Sequence, residues 1–216
     1  MGLLDLITGS TGNQVAQDAE NKFGVSKNQI IALLIVAAPL VISYLKKKAE
    51  DSDEADKLNI TLDKHHDGSI LNNPAQALVR EQEGDSILSH IFGGEKANVE
   101  NQLSQNTGIS MDKIGPILAM LAPVIMGYIG QQKQANNVTS GGGLGDLLGG
   151  ILGGSAQEAQ ASKDPLSDIL GSVLGGATQS SEGGLGDILG NVLGGGNQKQ
   201  SEQGGLGGLL GGLFGK

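Results

Sequence analysis

Apolar residues recur at positions i, i+3, i+4, i+7 and i+8 four times in the last 76 residues of the chain. The first set is Leu144, Leu147, Leu148, Ile151 and Leu152, and the second is Leu166, Ile169, Leu170, Val173 and Leu174. Leu185, Ile188, Leu189, Val192 and Leu193 form the third, and Leu206, Leu209, Leu210, Leu213 and Phe214 the fourth. This spacing puts all five side chains of a unit on one stripe of an amphipathic helix of about three turns. Each unit therefore predicts a short helix with an apolar face that needs another surface to cover it. A unit on its own buries too little to offset the entropy of ordering its backbone, and its internal glycines weaken the helix further. The expectation is a string of marginal helices that fold only where an apolar surface receives them.

Upstream, the pattern predicts an all-α domain built from a duplication. Residues 7–45 lie over residues 91–129 at a constant offset of 84, which aligns Gly24-Val25-Ser26 with Gly108-Ile109-Ser110 and Ala38-Pro39 with Ala122-Pro123. In each copy a polar amphipathic helix (about Gln14 to Phe23, and Lys96 to Thr107) precedes a glycine turn. A serine then follows, able to cap a strongly apolar helix through its side-chain oxygen. Two helical hairpins packed on one another would form a single pseudo-symmetric bundle. The stretch Ile30 to Leu45 has sixteen residues without a charge. That length rises about 24 Å, short of the ~30 Å hydrocarbon layer, which favours a core helix over a membrane span. Pro39 and Pro123 predict helices kinked or broken at Ala-Pro, and Tyr44 and Tyr128 predict buried rings with hydrogen-bonded hydroxyls.

Glycine then sharpens the domain boundary. Of 37 glycines, 25 fall between Gly141 and Lys216, so the sequence divides into a helical globular domain over 1–137 and a low-complexity Gly-Leu repeat tail over 138–216. A charged connector occupies 46–90. In the tail, Gly145, Gly149 and Gly153, and again Gly186, Gly190 and Gly194, repeat at four-residue spacing, an arrangement that permits close approach of helices. Asp146, Asp168 and Asp187 favour the first turn of their units through the helix dipole; the fourth unit has Gly208 there. Polar stretches such as Ser155 to Lys163 and Asn197 to Gln203 read as flexible linkers.

Charge and candidate chemistry narrow the function. A net charge of −9 with no basic cluster larger than Lys46-Lys47-Lys48 argues against nucleic acid. With no cysteine there is neither a disulfide framework nor a thiolate metal site. The N-terminal residues carry no secretory pattern, so the cytoplasm is the expected compartment. Asp63-Lys64-His65-His66-Asp67-Gly68 partly resembles a calcium loop, but His65 stands where an oxygen ligand belongs and Pro74 where a bidentate glutamate does. A transition metal on His65, His66 and His90 is the other chemistry this segment could offer. An Asp-Gly turn leading into another element is the favoured reading, with no metal and no cofactor. His90 has no accompanying nucleophile motif, and the glycines form no phosphate cradle. Phe92, followed by Gly93-Gly94, reads as a core anchor before a turn.

Asp67-Gly68-Ser69-Ile70-Leu71, His90-Ile91-Phe92-Gly93-Gly94, Val99 to Ser104, Thr107-Gly108-Ile109-Ser110 and Leu121 to Tyr128 together resemble the bacterial domain-of-unknown-function 937 family, whose relatives include YidB-like proteins. The resemblance runs from about Met1 to Gly154. It implies a small all-helical bacterial domain, often followed by Gly-Leu segments, and supplies no reaction, cofactor or catalytic residue. The expected function is therefore non-enzymatic: an interaction or scaffold protein that binds itself or partner proteins through the twenty stripe residues of the tail. A peripheral protein using tail units as interfacial helices on a membrane surface is the alternative. The tail's seven acids against three bases weigh against that alternative.

Overall fold

The structure, a computed structural model, describes residues 2–161. Eight α-helices and several 3₁₀ turns make up these residues, with no strand among them. The helices are α1 (Leu3–Thr8), α2 (Ser10–Phe23), α3 (Lys27–Lys48), α4 (Ser52–His65), α5 (Glu81–Phe92), α6 (Lys96–Thr107), α7 (Met111–Ala135) and α8 (Leu144–Ala161).

Helices α3 and α7 form the centre, and the shorter helices wrap them. Both are apolar around most of their circumference, and nearly every residue from Ile30 to Leu45 and from Ile117 to Gly130 is buried. A helix apolar on all sides belongs inside. α5 covers α7, α2 and α8 cover α3, and α6 bridges α3 and α7. The turns that lead into α3 and α7 use the same local chemistry. Gly24 and Gly108 adopt φ of 64° and 68°, the left-handed region that glycine enters without strain, and their N–H groups donate to Glu20 and Ser104. Ser26 then caps α3 by accepting the Gln29 N–H at 3.4 Å. Ser110 has the same extended cap backbone but accepts no backbone N–H. Its side chain instead hydrogen-bonds Asp112, which holds that carboxyl below its ordinary range.

Three expectations change. Of a kink or a break at Ala-Pro, the break does not occur: α3 continues as one helix past Pro39, and α7 past Pro116 and Pro123, with the surrounding core offsetting the lost helical hydrogen bond. They are consequently 22 and 25 residues long, enough by length and hydropathy to cross a bilayer, so length does not separate core from membrane helix here. In the fold, 78% and 83% of their most apolar windows lie inside. Finally, Tyr44 is buried against the edge of Phe92, with ring centroids 4.8 Å apart and planes at 87°, but its hydroxyl finds no hydrogen-bond partner among the described residues. Burial, followed by the charge of Glu95, pushes that phenol up to about 12.

Candidate functional site

The chain reaches the first tail unit through a tightly specified turn. At the end of α7, Asn137 takes φ of 54°, its N–H donates to Gln134, and the Val138 N–H donates to Lys133 at 3.0 Å. This pair of bonds closes the last carbonyls of the helix and reverses the chain. Lys133 is itself buried, with its ammonium on the Asn59 carbonyl at 3.3 Å and paired with Asp63. Asn59 also donates to the Thr139 carbonyl at 3.3 Å. Gly141 lies so close to α4 that a Cβ there would meet Asp56 Oδ1 at 2.5 Å and the Asp56 backbone nitrogen at 2.7 Å. Residues 136–143 are thus pinned along α4, and the chain is aimed back across α3.

There the first unit forms α8 and lies on α3, with α1 and α7 at its sides. Leu144 and Leu148 are fully buried and Ile151 is 9% exposed, while Leu147 and Leu152 are partly buried against the same core. These five stripe residues are brought together on one seat. The packed part of the chain therefore reaches beyond residue 137, because the first unit finds its cover on the domain itself. The remaining fifteen, in the units at 166–174, 185–193 and 206–214, lie outside the described residues. Where Ser155 to Lys163 reads as a flexible linker, the helix continues from Ser155 to Ala161, and the buried Ser155 hydroxyl donates to the Ile151 carbonyl at 2.6 Å. Among the described residues the glycine spacing brings no close helix approach in this unit: a Cβ on Gly145 or Gly153 meets nothing within 4 Å, and one on Gly149 meets only the Lys46 side chain at 3.6 Å.

A further copy of the stripe, not anticipated from the sequence, is built into the core. At an offset of 60 from the first tail unit, Gly84, Ile87, Leu88, Ile91 and Phe92 take the five stripe positions, and Gly93-Gly94 stands where Gly153-Gly154 follows. This is α5. Leu88 and Ile91 are buried and Ile87 is partly buried, the same distribution as Leu148, Ile151 and Leu147. α5 sits on α7 as α8 sits on α3. Its first stripe position is glycine because α7 is too near for anything larger, a Cβ on Gly84 falling 1.6 Å from the Ala119 carbonyl oxygen. That carbonyl is the one Pro123, four residues on, leaves without a helical donor. The shared spacing and the Gly-Gly ending are the signals that point to it, masked by a glycine in the first stripe position and by Ser86, Ser89 and His90 between the apolar residues.

The histidines gather around a separate groove. Leu45, Leu58, Ile87, Ile91 and Met126 floor a pocket of about 620 Å³ between α4 and α5, with His65, His66, His90 and Glu83 on its walls. His66 is buried, its Nε2 is 3.6 Å from Glu83 Oε1, and its Nδ1 has no hydrogen-bond partner among the described residues. Burial depresses its pKa to about 4. His90 is largely exposed and lies 3.5 Å from Glu54. Among the described residues no group of three or more His, Cys, Asp or Glu side chains is placed to hold a metal ion. Asp67 accepts the Ser69 N–H at 3.0 Å and Gly68 takes φ of 91°, so the calcium-like segment is a turn into the 3₁₀ stretch Ser69–Asn72.

Fold and seat together define a class: a small all-helical domain whose own central helices receive the apolar phrase that its C-terminal segment repeats. The chain matches, over residues 5–132, the family described as "Bacterial protein of unknown function (DUF937)", and it belongs to that family. The matched stretch contains α5 but ends before α8. No curated protein and no solved structure matches the chain.

Proposed function

We propose that this is a non-enzymatic association protein of the cytoplasm whose Gly-Leu tail units are ligands for apolar helix surfaces, on other copies of the chain or on partner proteins. The observation that supports this most is the complete burial of Leu144 and Leu148 on α3. One unit of the repeat is thereby a helix with a receptor surface, and three more units carry the same stripe. Linked weak sites bind far more tightly together than singly. In this reading the two hairpins, residues 7–45 and 91–129, descend from one ancestral hairpin, and each supplies a central helix able to take the phrase. The acidic balance of the chain makes nucleic acid an unsuitable partner.

The test places Asp at Leu170, Leu189 and Leu210, the centre of each later stripe. Leu148 is left alone because a charge there would disrupt the seat itself. The full chain is expected to sediment as an assembly and the triple variant as a smaller species with an unchanged helical circular dichroism signal. An unchanged assembly state, together with an unchanged set of co-purifying proteins, overturns the proposal. Flotation with vesicles of anionic and neutral lipid, run on the same pair, separates the membrane-surface alternative: it requires the native chain to float and the variant not to.

A further inference from the structure

Among the described residues nothing gives the five glycines of α8 a packing reason to be glycine. At Gly145, Gly150, Gly153 and Gly154 a Cβ would meet no described atom within 4 Å, and at Gly149 it would make ordinary contact with the Lys46 side chain. Gly84 in the matching helix α5 is the opposite case, a position where only glycine fits. Since glycine disfavours helix wherever packing does not demand it, the glycines of α8 act in one direction only: they weaken the helix that fills the seat. The later units offer near-identical replacements. Leu166, Leu185 and Leu206 correspond to Leu144, and Leu170, Leu189 and Leu210 to Leu148. Val173, Val192 and Leu213 correspond to Ile151, so all three buried positions stay aliphatic. A seat that reads three aliphatic side chains has little means of telling its four candidates apart.

Resting on the association reading above, we propose that the seat on α3 and α1 is exchangeable: a later tail unit from a second copy of this chain displaces α8 and lies in its place. The described residues of each chain hold one such seat, and the sequence has four units, so units left over on one chain find seats on others. A contact between a tail on one chain and a seat on the next joins unlike surfaces, so it propagates rather than closing on itself as a two-fold dimer does. α5 does not take part in the exchange, because its phrase lies in mid-chain, with helices before and after it, and is locked against α7.

The absence of native cysteine makes the exchange directly testable. Gly190 holds in the third unit the position that Gly149 holds in α8, where the neighbour is Lys46. Full-length Lys46→Cys is mixed with full-length Gly190→Cys and treated with a short bis-maleimide, with Val79→Cys, 84% exposed and outside the seat, as the comparison in place of Lys46→Cys. A covalent dimer in the Lys46 mixture well above the Val79 mixture is the expected result. Adding Gly145→Ala, Gly150→Ala, Gly153→Ala and Gly154→Ala to the Lys46→Cys chain, which strengthens α8 in its seat, is expected to reduce that dimer. Equal linking at Lys46 and Val79, or a yield indifferent to the alanines, overturns the exchange. Assembly seen by sedimentation without a Lys46 link overturns the exchange while leaving tail-driven association standing; neither assembly nor link removes both.

Discussion

Alanine at Gly84 is expected to cost more than about 3 kcal/mol of stability, above the usual range for an overpacked core position and a large share of the ~5 to 15 kcal/mol typical of a domain. The reason is what the new methyl group would strike. It would lie 1.6 Å from the carbonyl oxygen of Ala119, which is backbone of a buried helix and not the movable end of a side chain. Relief requires α5 to move off α7, which uncovers Leu88, Ile91 and Phe92. The contrasting substitution is Gly154→Ala in α8, where the added methyl meets no described atom within 4 Å. There the gain in helix propensity is up to about 1 kcal/mol, and the variant is expected to be slightly more stable than the native chain. Urea unfolding followed by circular dichroism compares all three. A near-neutral Gly84→Ala would mean that α5 is not held against the carbonyl freed by Pro123, and that the distinction between a locked and a loosely held copy of the phrase is unfounded.

That distinction marks where the sequence is informative and where it is silent. The stripe spacing identifies the tail unit as a helix and names the five side chains that are packed together, because a period of 3.6 residues is a local property. The glycine turns and the Ser26 cap are legible for the same reason. The helix lengths are not. Pro39 and Pro123 read locally as kinks or breaks, and only the buried surroundings of α3 and α7 carry the helix past them. Nor does any local pattern show where α8 goes. Its course is set by Asn59 reaching Thr139, by Lys133 reaching Asn59 and Asp63, and by Gly141 against Asp56, groups separated by roughly 70 to 85 positions in the chain. The surface that covers α8 follows the same rule: the stripe can be read from the sequence, whereas the surface it packs on is assembled mainly from α3 and α1, whose apolar residues look like ordinary core.

The domain is also expected to lose stability as the pH falls from 6.5 towards 4, and His66 is the cause. Its ring is buried beneath the groove between α4 and α5, and that burial is the main reason its pKa falls from 6.5 to about 4. Glu83 and Asp67 pull the other way, while Arg80 and His65 lower it further. Above pH 6.5 the imidazole is neutral both folded and unfolded, so it adds no pH dependence. Between 6.5 and about 4 the unfolded chain takes up the proton and the folded chain does not, so each step down in pH favours unfolding. A pKa difference of this size corresponds to about 3 kcal/mol, lost at up to ~1.4 kcal/mol per pH unit. The carboxyls of Glu54, Asp67 and Asp112 are held below their ordinary values of 4.5, 3.8 and 3.8, so their own losses fall at the acid end of this window or below it. Urea unfolding at intervals from pH 7 to pH 4.5 should show the slope in the native chain and a much flatter profile in His66→Gln, whose amide cannot titrate. A native profile that is flat from pH 7 to pH 5 would show that His66 takes up its proton as readily in the folded domain as in the unfolded chain.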